Sequence, residues 1–243
     1  MQTRILDETV LDNNIVRNAY SILMGNLYLT EGGKDYKTLT ITSCNPKEGK
    51  TSLAAGLAIT MAKMGHSTLL ADFDLRKCDD TEDNECSISD YLKGQKELKD
   101  VLYSTNIENL SYLSFENIME NPISFLCSEK LDLLIQDMRS DFDYVVFDTP
   151  ALECVNDAVI ISVKTDATIL AAQIGKTTIV DIKKAQEQFN KVNANLIGVI
   201  LNKVGKRKYK RKLSAFNYFT KKRKTTNYNN TGKAERVHLK GLI

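Results

Sequence analysis

Nowhere in this sequence does an apolar run approach the roughly 20 residues needed to span a bilayer, which excludes a transmembrane helix. The early acids Asp7, Glu8 and Asp12 do not suit a secretory leader, so the chain is expected to be cytoplasmic unless a partner recruits it to the inner face of the cell membrane. With only three prolines, no Pro-rich linker divides the chain, and no internal repeat is evident. The five cysteines, Cys44, Cys78, Cys86, Cys127 and Cys154, are odd in number and lack metal-ligand spacing, so they read as reduced thiols. Cys78 and Cys86 flank an acidic stretch, but no histidine or second cysteine pair joins them to complete a zinc site.

Net charge is also small, +2 over 243 residues, but unevenly placed. From Lys203 onward there are 14 Lys and Arg against one acid, Glu235, which makes the tail about +13 and the rest about −11. The expected organisation is a flexible N-terminus over residues 1–14, one α/β domain over residues 15–205, and a basic, disordered tail over residues 206–243. The tail carries the tyrosines Tyr209, Tyr218 and Tyr228.

The body of the chain alternates short apolar runs with helical patterns. Strands are expected at residues 38–42, 67–72, 110–115, 144–148, 168–172 and 196–201, and helices at residues 15–29, 53–62, 87–94, 128–138, from about 157, and at 179–192. This pattern predicts a doubly wound, mostly parallel sheet in a three-layer α/β/α arrangement, with ligand at the carboxyl ends of the strands. The helix over residues 15–29 is expected to lie outside the nucleotide fold proper, and residues 77–86 to form an acidic, loop-like insertion.

Ser43-Cys44-Asn45-Pro46-Lys47-Glu48-Gly49-Lys50-Thr51-Ser52 stands between the first of these strands and an Ala-rich helix that Gly65 ends. Strand, turn, Gly-Lys-Thr and helix make a phosphate-binding loop, whose backbone N–H groups ring phosphates at a helix N-terminus. Ser43, Pro46, Lys47, Glu48, Gly49, Lys50, Thr51 and Ser52 are the candidate nucleotide-binding residues here. Lys50 is expected on the β/γ oxygens and Thr51 on Mg²⁺. Cys44 occupies the place of the usual first glycine. The plain alternative is a strand-turn-helix with a surface lysine.

Two further strand ends weigh against that alternative. Asp72-Phe73-Asp74-Leu75-Arg76 puts two carboxylates at the end of a buried strand, which is costly unless a cation sits near them. Asp72 is expected near the γ-phosphate, Asp74 on metal-bound water or the nucleophile, and Arg76 neutralising transferred charge. Tyr144-Val145-Val146-Phe147-Asp148-Thr149-Pro150 ends a second buried run in an Asp that suits the Mg²⁺ shell. The candidate metal residues are therefore Thr51, Asp74 and Asp148, and the candidate catalytic residues Lys50, Asp72, Asp74 and Arg76. Asn202, after the last strand, is a candidate for the adenine edge or an ordinary turn residue.

These three stretches resemble the Walker A, A′ and B motifs of the bacterial tyrosine kinases, the cytoplasmic ATPase-like kinases of capsular and exopolysaccharide synthesis. Ser89 to Gly94, Asn121-Pro122 and Gly198 to Asn202 resemble further landmarks of that family, so the likeness spans roughly residues 15–205. Related ATPases that position plasmids or septa usually carry a lysine where this chain has Asn45. The resemblance implies Mg-ATP as cofactor, an aspartate at Asp72 or Asp74 that helps activate a tyrosine hydroxyl, and tail acceptors phosphorylated by a neighbouring subunit in a ring. It also implies a separate membrane adaptor that supplies an activating segment. Two departures stand out. The ring-forming helix of the family carries Glu, Arg and Arg where this chain has Asn18, Ser21 and Met24, and the tail has three spaced tyrosines in place of a dense cluster. The alternative readings are a non-kinase ATP switch or nucleotide-binding regulator, and, from the tail alone, a surface that binds anionic lipid, acidic polysaccharide or nonspecific nucleic acid.

Overall fold

In the computed structural model, residues 3–11, 13–31, 36–76, 88–115 and 121–205 are described, together with residues 227–228 and 234–235. The first unit, Met1–Lys203, is an eight-stranded sheet with helices on both faces. Its elements in chain order are β1 (Thr3–Arg4), α1 (Asn14–Glu31), β2 (Thr38–Ser43), α2 (Lys50–Lys63), β3 (Thr68–Asp72) and α3 (Ile88–Leu92). These are followed by β4 (Tyr103–Thr105), β5 (Leu110–Leu113), α4 (Pro122–Leu126), α5 (Glu129–Asp141) and β6 (Tyr144–Asp148). The unit closes with α6 (Asp157–Lys164), β7 (Ala167–Gln173), α7 (Ile179–Lys191) and β8 (Leu196–Asn202). In the second unit, β9 (Asn227–Tyr228) pairs antiparallel with β10 (Ala234–Glu235).

Strand order is β1-β4-β5-β3-β6-β2-β7-β8, parallel throughout except for the antiparallel pair β4 and β5. The apolar alternation of the strands explains the layers. Leu70, Tyr112, Val146 and Ile169 face a core built with α1 and α2, whereas Leu69, Leu113, Val145 and Phe147 face one built with α5 and α6. Both faces are buried, as a parallel sheet requires.

The outcome differs from expectation at the N-terminus. Thr3–Arg4 adds a strand beside Ser104–Thr105, a 3₁₀ turn follows at Glu8–Leu11, and Leu11 is buried. Neither β1 nor β4 carries enough residues to give a periodic signal of its own. The first helix is also part of the nucleotide fold. The Tyr20 hydroxyl donates to the Ser52 carbonyl in the first turn of α2 at 3.1 Å, and its ring occupies the space where a Cβ on Gly56 would stand, 2.3 Å away. Burial pushes the Tyr20 phenol up to about 12, so it stays a neutral donor. Met24 is 2 % exposed, so this position serves the core.

Helix α2 ends in a Schellman motif. Gly65 adopts φ 91°, its N–H bonds the Ala62 carbonyl, and His66 N–H bonds the Met61 carbonyl. The buried threonines of β2 have partners one strand away. Thr40 bonds Thr165, Thr42 donates to the Pro150 carbonyl, and Thr38 meets Asp166.

Asp166 accepts from Thr38 N–H at 2.8 Å, from Thr38 Oγ1 at 2.7 Å and from Arg139 at 2.6 Å. Burial alone would raise its carboxyl, but the Arg139 and Thr38 hydrogen bonds outweigh that and hold it below the ordinary value of 3.8. A depressed folded-state pKa stabilises the fold above the ordinary carboxylate range and loses that contribution as pH falls through the lower folded value. Denaturant unfolding from pH 7 to pH 3 is expected to show this acid loss. Asp166→Asn removes it and costs about 1–3 kcal/mol at neutral pH.

Candidate functional site

Parallel strands that all point the same way bring their carboxyl ends together, and β2, β6 and β3 are adjacent in that order. Ser43, Asp148 and Asp72 end these three strands. Asp72 and Asp148 are direct neighbours across the ladder, and Phe73 N–H bonds the Asp148 carbonyl at 2.8 Å. From β2 the chain turns through residues 44–49 into α2, with Gly49 at the helix N-cap. Gly49 adopts φ 91°, and a Cβ there would fall 2.1 Å from Asn202 Nδ2, so glycine is required twice over.

Lys50 Nζ lies 3.7 Å from Asp148 Oδ1 and 3.3 Å from the Thr51 hydroxyl. Its side chain is 15 % exposed and that of Asp148 4 %, so the ammonium sits inside the site. The structure thus unites Lys50, Thr51, Asp72 and Asp148. Asp74 joins through the turn that Asp72 makes by accepting Asp74 N–H at 3.0 Å.

Other expected residues have different employment. Ser43 is buried and donates to the Asn45 carbonyl at 2.8 Å, so it braces the loop from within. Glu48 is fully buried, and its carboxylate accepts from Asn45 N–H, Asn45 Nδ2 and Thr177 Oγ1. These two side chains frame the loop and leave ligand contact to its backbone. Pro46 and Lys47 contribute carbonyls that Lys176 and Lys203 hold at 2.9 and 2.7 Å. The Ser52 side chain is exposed, on the first turn of α2.

Asn202, expected at the adenine edge or as an ordinary turn residue, directs its carboxamide to the protein backbone. Its Nδ2 donates to the Glu48 carbonyl at 3.0 Å and approaches the Gly49 carbonyl at 3.4 Å, while its Oδ1 accepts from Lys203 N–H at 2.7 Å. The carboxamide therefore holds the loop with its donor and caps the strand end with its acceptor. Arg76 is likewise engaged, in an ion pair with the fully buried Asp157 at the start of α6. Sequence reasoning did not find Asp157, Lys176, Thr177 or Lys203. The available signals were a charged residue in the apolar helix pattern after residue 156 and a lysine directly following the last strand.

Cys44 shows why the first glycine of the usual loop is dispensable. It lies outside the positive-φ set, and its side chain packs with Leu170, Ala185 and Phe189 beneath α7. Burial, with the Glu48 and Asp181 carboxylates adding to it, pushes the thiol up to about 12, so it stays protonated. Cys44, Cys127 and Cys154 are free thiols. Tyr209, Tyr218 and the whole acidic stretch 77–86, with Cys78 and Cys86, lie outside the described residues, whereas Tyr228 falls in β9.

Among the described residues no group of three or more His, Cys, Asp or Glu is arranged to hold a metal ion by itself. The oxygen set of Thr51, Asp74 and Asp148 fits Mg²⁺ all the same, because that ion keeps waters and takes phosphate oxygens with only one or two carboxylates. No helix among the described residues is long and apolar enough to cross a membrane.

A loop of this geometry, on an interior strand of a doubly wound sheet and faced by two strand-end aspartates, defines a phosphate-loop nucleotide-binding protein. Residues 39–225 match the family described as the CobQ/CobB/MinD/ParA nucleotide binding domain. Within that class the chain is similar to tyrosine-protein kinase CpsD of Streptococcus pneumoniae serotype 4, 35 % identical over 190 residues that cover 76 % of this chain and 83 % of the relative. It is similar to CpsD of Streptococcus agalactiae as well, 32 % identical over 177 residues, 71 % and 77 % of the two chains. The kinase domain of the Escherichia coli tyrosine kinase ETK superposes with a TM-score of 0.76 at 26 % identity, covering 85 % of this chain and 84 % of that one. This chain belongs to the bacterial tyrosine kinases.

Proposed function

We propose that the chain is an ATP-dependent protein-tyrosine autokinase that regulates capsular or exopolysaccharide assembly. The observation that carries this reading is the convergence of Lys50, Thr51, Asp72 and Asp148 on adjacent strand ends in a chain of this family. In transfer, the acceptor phenol oxygen bonds to the γ-phosphorus, the bond from that phosphorus to the bridging oxygen breaks, and ADP leaves. Lys50 supports the β and γ oxygens and compensates their charge. Asp72 receives the phenol proton or orients the hydroxyl, and Thr51, Asp74 and Asp148 are the residues that would hold Mg²⁺, which neutralises phosphate charge when bound. Arg76 acts from its ion pair with Asp157.

Tyr209, Tyr218 and Tyr228 are the proposed acceptors, reached in a neighbouring subunit. Their basic surroundings complement a body of about −11 and suit an anionic membrane surface, from which each added phosphate would subtract attraction. The chain is cytoplasmic in this reading and recruited by a membrane adaptor that supplies an activating segment. Specific nucleic-acid binding plays no part. Subunit contact uses residues other than the family's charged triad, since Asn18 and Ser21 are uncharged and Met24 is buried.

The test incubates the purified full chain with Mg-ATP and the adaptor's activating segment, and maps phosphotyrosine by mass spectrometry. Label on one or more of the three tail tyrosines is expected. Inorganic phosphate released with no phosphotyrosine anywhere would replace the kinase by an ATP-driven switch.

A further inference from the structure

Four consecutive carbonyls of the phosphate loop, those of residues 46–49, each meet a side-chain donor from the far side of the loop. Lys176 Nζ reaches the Pro46 carbonyl at 2.9 Å and Lys203 Nζ the Lys47 carbonyl at 2.7 Å. Asn202 Nδ2 serves the Glu48 carbonyl at 3.0 Å and lies 3.4 Å from that of Gly49. In a trans peptide the carbonyl of one residue and the N–H of the next point in opposite directions. Pinning these four carbonyls outward therefore aims the N–H groups of Lys47, Glu48, Gly49 and Lys50 inward, where an anion would lie.

From these contacts we infer that Lys176, Asn202 and Lys203 form an outer brace that pre-shapes the loop, and that they are positioning residues for nucleotide phosphates without touching them. The inference rests on reading the loop as a nucleotide site. Backbone strain supports it, since Lys47 adopts φ 65° and Lys203 φ 55°, unfavourable values for lysine. The bond from Lys203 Nζ to the Lys47 carbonyl ties these two strained residues together, and the same ammonium reaches Gln173 Oε1 at 3.2 Å. Thr177, next to Lys176, donates to the buried Glu48 carboxylate. The brace thus springs from the turn after β7 and from the end of β8, the two places where the sheet comes alongside the loop.

Charge adds to shape. Two ammonium groups on the outer carbonyls polarise the intervening peptides, so that the inward N–H groups become stronger donors. A loop built this way has paid its ordering cost before ligand arrives, which raises affinity for any phosphate chain whatever becomes of the terminal phosphoryl.

The experiment titrates the full chain with a fluorescent ADP analogue and Mg²⁺, and follows phosphotyrosine formation at saturating ATP. Lys176→Met with Lys203→Met is expected to raise Kd for the analogue by about tenfold, with the rate at saturating ATP within about threefold of wild type. Lys203→Arg, which keeps a cationic donor, recovers most of the affinity, and Lys99→Met, a largely exposed control, changes nothing. If the double variant folds poorly, each single variant is expected to weaken binding about threefold with an unchanged thermal midpoint. Unaltered affinity in folded variants overturns the brace while leaving the nucleotide site intact. Loss of rate without loss of affinity overturns it too, because a brace acts on binding. A wild-type chain that fails to bind the analogue overturns the nucleotide reading, and the brace with it.

Discussion

Lys50→Met is expected to abolish phosphotyrosine formation, by about 10³-fold or more, while the sheet stays folded. The ammonium lies between Thr51 and Asp148 and is 15 % exposed, so water cannot take its place as a compensating charge. Its loss also takes a cation from beside a carboxylate that is 4 % exposed, and denaturant unfolding should register up to about 3 kcal/mol of destabilisation. The two readouts separate the roles. Three orders of magnitude in rate correspond to about 4 kcal/mol of transition-state stabilisation, and a folding defect alone would lower the active fraction without that scale of loss at temperatures where the variant is still native. Lys50→Arg keeps the charge on a planar, wider head and is expected to rescue stability far better than rate. Phosphotyrosine formation near the wild-type level in Lys50→Met would mean that the loop is not where phosphate is handled.

Gly49→Ala is expected to damage both the loop and the fold. At φ 91° an alanine is strained by about 1–2 kcal/mol, and the new Cβ would stand 2.1 Å from Asn202 Nδ2. Asn202 must then move, which releases the Glu48 carbonyl it holds at 3.0 Å and turns the following N–H away from the site. Nucleotide affinity is expected to fall by about 10²-fold, from misaimed donors rather than from a blocked cavity. A double-mutant cycle isolates the cause. With Asn202→Ala in the same chain the clash is gone, so the pair should destabilise by less than the sum of the single variants, with a coupling of about 1 kcal/mol in urea unfolding. Strict additivity would show that Asn202 does not hold the loop.

How far these sites could be read from the sequence depended on what kind of interaction each involves. The runs ending at Ser43, Asp72 and Asp148 were legible because strands buried on both faces are continuously apolar, and because acids at their ends interrupt that pattern abruptly. Gly65 was legible because a helix stop has a local conformational requirement. The partners of polar groups were hidden. Asp157 and Arg76 are 81 residues apart, Glu48 and Thr177 129, and Lys203 and Lys47 156, and no local pattern encodes which atoms meet over such separations. The role of Asn202 stayed open for that reason, since a carboxamide at a strand end serves a base edge or a backbone carbonyl equally well. Gly56 was the overlooked clue to the first helix. A glycine in mid-helix costs about 1 kcal/mol, and here it makes room for the Tyr20 ring.

The bond between Asn45 and Glu48 couples two positions of the loop. A lysine in place of Asn45, the residue usual in ATPases that position plasmids and septa, would find the buried Glu48 carboxylate within the same turn, already accepting from residue 45 at 2.9 Å. The ammonium would be captured there and held out of service. Replacing Glu48 instead would strip the part-buried Asn45 amide of its acceptor, so the two positions act as one unit in holding the loop.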